Sequence, residues 1–318
     1  MRHAANLLLI LSLLPLTLWA QTDAHKAILR AYALEEQGQL TEAVALARSL
    51  VDSGTLQGAE LGRAWIVLGL AYTDQGVIGP AQHAYEQAIS ILQPLPDNVR
   101  DYASALDNFG AFYRAMGQLK ASSDLRLKTL HLYKQIGDHS GLARACNNLA
   151  MLALQQRDGK KARKYLSCSA KEMKVATSLD DDDVAAIYST QAEFDRLSGN
   201  TPAAIAGYEH AMQIWRRAHK GDHPNIGWGC MLLGRLYANA GRIGDAEKEM
   251  QQGLSILEHT LGRTNPRYLE AEIAYSRLLD QTGAHDAAAS LRAADEATLK
   301  AIYQRQCFGC TISIDALR

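Results

Sequence analysis

Proline, phenylalanine and tryptophan are scarce in this chain: seven, four and four among 318 residues. So little proline leaves few points where a helix is forced to stop. Period-two alternation of polar and apolar residues is missing until the last dozen residues, so a sheet has no support in the pattern. Excess charge of one sign is missing as well. Lys and Arg number 33 against 34 Asp and Glu, a formal charge of −1, which argues against a strongly basic nucleic-acid binder and an acidic tail protein. The motifs of reaction chemistry are absent too: no GxSxG elbow, Walker loop, GxGxxG, HExxH or paired Cys/His set occurs. His210, His219 and His223 cluster in sequence, but only the last two stand four apart, and most of the ten histidines read as lying on solvated faces. The expectation is a protein with no catalytic residue, no cofactor and no metal.

What is present is a periodic arrangement of small residues. The stretch from His223 to Pro266 begins at Asp222-His223-Pro224 and ends at Asn265-Pro266, both helix-start signals, with Gly241 dividing two apolar runs. A helix–turn–helix of that size cannot bury its own apolar stripe, so neighbours must repeat it. Aligned on Gly234, small residues recur at Ala31, Gly69, Gly110, Ala150, Ala192, Gly234 and Ser276, every 38 to 42 residues. Glycine ends the first helix in six of seven units, at Gly38, Gly76, Gly117, Gly199, Gly241 and Gly283, with Arg157 in the remaining one. A third column is small throughout: Ala43, Ala81, Ser122, Ala162, Ala204, Ala246 and Ala288. Small residues let two helices approach closely, and an aromatic column, Tyr72, Tyr113 and Tyr237, fills the space beside them. Seven units at a near-constant step describe a stacked array.

Trp65-x-x-Leu68-Gly69-x-x-Tyr72, followed by Gly76, Ala81, Tyr85 and Ala88, resembles the tetratricopeptide repeat family almost column for column. The longer step, with Gly221-Asp222-His223-Pro224 and Leu261-Gly262-Arg263-Thr264-Asn265-Pro266 in its loops, is similar to the kinesin light chain subtype. The resemblance covers residues 24–300. It implies an all-α, right-handed α-α superhelix whose first helices line a concave groove holding an extended peptide or a partner helix. First helices are expected near 24–37, 62–75, 101–116, 141–156, 182–197, 225–240 and 266–282. Second helices are expected near 41–52, 79–92, 120–136, 160–178, 202–219, 244–261 and 286–304. Residues 93–97, with two prolines, are the expected place for a bend. The acidic run 180–183 lacks the spaced ligands and turn glycine of a calcium loop and reads as a helix start, where carboxylates offset the dipole.

Residues 1–20 read as a secretory signal, with Arg2 as the positive start, Leu7 to Leu14 as the apolar centre, and cleavage before Gln21. The apolar run Leu7 to Ala20 is shorter than the ~20 residues a span needs, and Pro15 interrupts it. The expected location is secreted or periplasmic, with an uncleaved membrane anchor as the alternative. Residues 21–304 form the expected seven-repeat solenoid and 305–318 a tail. Export permits disulfides. Cys307 and Cys310 form a CxxC, read as a local disulfide ending the last helix, with a thiol-disulfide redox site as the alternative. Cys146 and Cys168 stand at nearly mirror-related places about one turn, so antiparallel helices either bridge them or bury two separate thiols. Cys230 reads as a small buried side chain. Residues 311–318 alternate like a strand and must cap the array, pair with a partner, occupy the groove or stay mobile.

One face of the array changes character in the middle. Asp107-Asn108, Asn147-Asn148 and Ser189-Thr190 are polar where the flanking Ile66-Val67 and Met231-Leu232 are apolar. Asparagine carries a donor and an acceptor, and the resemblance implies that Asn108 and Asn148 hold a ligand's backbone. Arg114, Arg144, Arg196 and Arg235 add positive charge along this face, and Met151, Glu193 and Trp228 complete the expected lining. These residues point to an exported interaction scaffold for a protein or peptide ligand, one that is acidic or carboxylate-bearing. A redox protein using the CxxC is the alternative.

Overall fold

The computed structural model describes the backbone of residues 14–306 and the side chains of residues 23–302. Seven helical hairpins follow one another: α1 (Leu14–Glu36) with α2 (Leu40–Asp52), α3 (Gly58–Asp74) with α4 (Ile78–Leu92), and α5 (Val99–Ala115) with α6 (Leu119–Gln135). Next come α7 (His139–Gln155) with α8 (Gly159–Met173), and α9 (Asp181–Leu197) with α10 (Thr201–Ala218). The last two are α11 (Pro224–Asn239) with α12 (Ile243–Leu261), and α13 (Pro266–Gln281) with α14 (His285–Gln306). Among the described residues there is no strand, and no helix is long and apolar enough to cross a membrane. Each first helix packs on its own second helix, and each second helix packs on the next first helix, so the apolar core runs along the array.

The small columns explain the packing. In repeats two, three and six the second helix presses a side chain four residues past its small column onto the facing glycine of the first helix. An added Cβ at Gly69 would lie 2.7 Å from the Tyr85 ring, and one at Gly234 would lie 2.4 Å from Met250. Glycine closes most of the hairpin turns with a left-handed φ. Arg157 takes the same conformation at φ 56°, so the turn survives where glycine is lacking.

Local rules set most boundaries. Asp138, Asp158, Asp180 and Asn200 each accept a backbone N–H three residues on, capping α7, α8, α9 and α10. Asp180 to Asp183 accordingly begin α9. Two expected boundaries are corrected. The second helix expected at 160–178 ends at Met173, because Ser178 N donates to Ser140 Oγ and ties the following segment back to α7. The first helix begins at Leu14, not near 24, and crosses the 20/21 boundary. The 93–97 loop holds a short 3-10 turn at Pro96–Asn98. Cys146 of α7 and Cys168 of α8 are bridged, with Cα atoms 5.9 Å apart. Cys307, Cys310 and the alternating segment 311–318 lie outside the described residues.

The array curls until its ends meet. Asn265, at the start of α13, donates from Nδ2 to the carbonyl oxygen of Asp74, at the end of α3. Gly38 and Gly76 permit this approach: an added Cβ would lie 2.8 Å from Thr260 O and 2.8 Å from Pro266 Cγ respectively. The last helix, α14, rests on α4. The first helices thus face one another around an inner space.

Candidate functional site

The inner wall is built from α5, α7, α9 and α13, whose first-helix positions place polar side chains toward the enclosed side. Asn148 Nδ2 donates to Asp107 Oδ2 at 2.7 Å, joining α7 to α5. Arg126 of α6 completes this group. Its Nη1 donates to the carbonyl of Asn148 at 2.5 Å, and its Nε lies 3.8 Å from Asp107 Oδ1. Arg126 is only 2 % exposed. It occupies the position where other repeats place Tyr85, Tyr208 or Met250, and Gly110 leaves the room, with an added Cβ only 3.0 Å from Arg126 Cγ. Burial depresses the Arg126 pKa while Asp107 pulls it back up.

Arg114 lies near the end of α5. Its Nε is buried with no hydrogen-bond partner. Burial pushes its pKa down to about 10, the Arg126 charge adds to this, and Glu270 of α13 opposes it. Arg267 of α13 is a second like charge facing it. Glu270 is itself raised by burial, with Arg267 and Arg114 opposing.

The other expected arginines pair with carboxylates inside the protein. Arg144 Nη1 meets Asp183 Oδ2 at 3.1 Å, and burial lifts the Asp183 carboxyl to about 6 despite Arg144. Glu193 takes two bonds from Arg196, at 2.8 and 2.6 Å, one from Tyr208 at 3.1 Å and a longer one from Arg235 at 3.4 Å. Burial alone would raise the Glu193 carboxyl, but the Arg196 bonds and the Arg235 charge hold it below the usual range.

The remaining expected residues divide by burial. Asn108, Met151 and Ser189 are half-buried along the inner helices. Asn147 is 3 % exposed and its Oδ1 has no partner, so it faces the packed side of α7. Trp228 packs against the apolar cluster of repeats five to seven. Arg126 and Arg267 were not among the expected residues. Arg126 stands out as a charge in the pressing column, a place that Arg292 shares in the last repeat, whereas nothing in the chain order places Arg267 opposite Arg114.

At the seam, Glu35 of α1 and Asp74 share a side-chain hydrogen bond, both raised by burial, with Arg267 opposing. His219 and His223 stack with ring centroids 3.6 Å apart, and His219 Nε2 lies 3.0 Å from both Asp182 carboxylate oxygens. Among the described residues no group of three or more His, Cys, Asp or Glu is arranged to hold a metal ion.

Family models described as tetratricopeptide repeat match residues 183–258 and 62–91. The chain is a tetratricopeptide repeat protein. As such it is similar in fold to the Rap conjugation gene regulator of the plasmid pLS20, solved in complex with the Phr* peptide. That likeness has a TM-score of 0.68 at 13% identity, covering 93% of this chain and 76% of the other. BtubC (BKLC) from P. vanneervenii is also similar, with a TM-score of 0.50 and 21% identity over 72% of this chain and 93% of the other. In sequence, the clustered mitochondria protein homologues of Aspergillus niger and Emericella nidulans are each 27% identical over 169 residues, 52% of this chain. This tetratricopeptide repeat protein matches only 14% of the length of those relatives. The fold is a protein–protein interaction scaffold.

Proposed function

We propose that this protein is an exported scaffold that holds an extended segment of a partner along the inner faces of α5, α7 and α9. The observation that carries this reading is the inner-wall group Asp107, Asn148 and Arg126, tied together on the enclosed side beside the half-buried Asn108. A polar, pre-ordered wall offers hydrogen bonds to a peptide backbone without first reorganising. The apolar residues that stabilise the array are spent on packing between helices, which leaves this face for recognition. A similar fold, the Rap regulator, was solved with a peptide, and that likeness supports a peptide as the ligand. Export is supported by the expected signal at residues 1–20 and by the Cys146–Cys168 bridge, which persists in oxidising compartments.

Replacing Asn108 and Asn148 together by Ala tests the reading. A partner captured by the full chain should be lost or weakened about tenfold, while circular dichroism stays unchanged. Undiminished capture by the double variant would remove the inner wall from the account.

A further inference from the structure

We propose that the outer face of repeats three and four docks on a phosphate-bearing anionic lipid surface, with the lysines of α6 and α8 over the headgroups. Each second helix carries one outward row, whose positions are counted from its small column. On α6 the row holds Lys120, Lys128 and Lys134 against Asp124. On α8 it holds Lys160, Lys164, Lys171 and Lys174 with no acidic residue. All of these side chains are exposed. On α2, α10, α12 and α14 the same positions hold one cation and one carboxylate each, and on α4 only Glu86 is charged. Because α7 packs against both α6 and α8, the two basic rows are neighbours.

The fold does not account for this charge. Lys134 and Lys171, in last turns, suit the helix dipole, but Lys120 and Lys160, in first turns, oppose it. Lys160 repels Lys164 four residues on, and Lys171 repels Lys174 three residues on. Among the described residues only Lys171 of these lysines reaches a carboxylate, Glu172 at 3.8 Å, which His139 meets more closely at 2.7 Å. The makeup of the face selects its occupant. Protein interfaces are rich in aromatic and arginine anchors and poor in lysine, whereas these rows hold no tryptophan, tyrosine, phenylalanine or arginine. A lysine ammonium is a hydrated point charge without a paired fork, which suits headgroup phosphates that move laterally. Leu127, Ile136 and Val175, 42–55% exposed, lie among or just beyond the lysines, placed to enter the headgroup boundary. A nucleic acid shares the phosphates but offers these aliphatic side chains no apolar layer. The face lies outside the curl and leaves the inner wall free for a segment.

The test is co-sedimentation of the full chain with vesicles of phosphatidylcholine, with and without added phosphatidylglycerol. Binding should require phosphatidylglycerol and weaken as salt is raised. Residues 1–20 are present in every arm, so the comparison reads the lysine face. Lys160→Gln with Lys164→Gln should weaken binding about thirtyfold and leave the melting temperature unchanged or higher, because the two charges repel. Lys248→Gln with Lys300→Gln removes equal charge from the same row of α12 and α14 and should leave binding unchanged. Leu127→Ser with Val175→Ser should weaken it about tenfold. Equal binding to both vesicle types, equal loss from the two lysine pairs, no loss from the Leu127 and Val175 pair, or tighter binding to duplex DNA or polyglutamate at matched charge would overturn the assignment.

Discussion

Asn265 donates its side-chain amide to the backbone carbonyl oxygen of Asp74, 191 residues earlier in the chain. The same side chain caps α13, its Oδ1 accepting from Arg267 N at 2.9 Å. One residue therefore starts the last first helix and fastens it to the second repeat. Repeat arrays hold together through neighbours alone, so a contact of this span converts an open stack into a closed one.

Asn265→Asp separates the two roles. Aspartate keeps the capping acceptor but has no donor for Asp74 and sets a charge against its carbonyl. Helical content should persist while the radius of gyration, measured by small-angle X-ray scattering, increases. Asn265→Ala should open the seam and also lose about 1 kcal/mol of capping. Unchanged scattering from Asn265→Asp would show that the seam closes without this bond.

The seam should also respond to pH. Glu35 and Asp74 are both raised above their ordinary values of 4.5 and 3.8, burial being the largest cause, with Glu36 adding negative charge and Arg267 opposing. A raised carboxyl binds its proton more tightly in the folded state. Its stabilisation is therefore complete below the ordinary value and is lost as pH rises through the raised one. Melting temperature should fall across that rise in the native protein, and less steeply in Glu35→Gln. Equal slopes in the two would refute the assignment.

His223 works in the opposite direction. Its Nδ1 accepts from Asn225 N at 3.2 Å to begin α11, which requires the neutral ring. Burial, with His219 adding, depresses its pKa to about 4. A depressed histidine stabilises above its ordinary value of 6.5, and that contribution is lost as pH falls from 6.5 toward 4. His223→Asn retains a capping side chain and should flatten this limb of a melting-temperature profile. A limb as steep as that of the native protein would assign it to other groups.

The Cys146–Cys168 bridge closes a sequence separation of 22 within repeat four. A loop of that size contributes about 3 kcal/mol by restricting the unfolded chain. Reduction, or Cys146→Ser with Cys168→Ser, should lower the denaturation midpoint accordingly without changing partner capture. No shift on reduction would mean that the bridge is absent in solution.

The repeat register was legible because it is local. Ala31 through Ser276 mark where helices touch, and Asp138 or Asp180 mark where they start. The sequence placed Cys146 and Cys168 about one turn but left their pairing open, since only the hairpin's geometry brings their Cα atoms to 5.9 Å. The seam was hidden for a physical reason. Closure depends on small rotations summed over seven hairpins, and no pair of columns reports that sum. Arg267 opposite Arg114 is a product of that closure and was missed with it. Arg126 was findable, as a charge in the column that also holds Tyr85, Tyr208, Met250 and, at the far end, Arg292. Arg144, Arg196 and Arg235 were placed on the right helices, and Glu193 stands three residues before Arg196, but the partners of Arg144 and Arg235 emerge only in three dimensions.

The central claim is that a partner segment lies inside the curl and not along its outer helices. A photo-reactive amino acid at Asn108 on α5, compared with one at Lys171 on α8, whose side chain is 83% exposed, tests it most directly in the compartment where the protein resides. Adducts from position 108, mapping to one short segment of one partner and absent from position 171, are the predicted result. Adducts from position 171 with none from 108 would contradict the account.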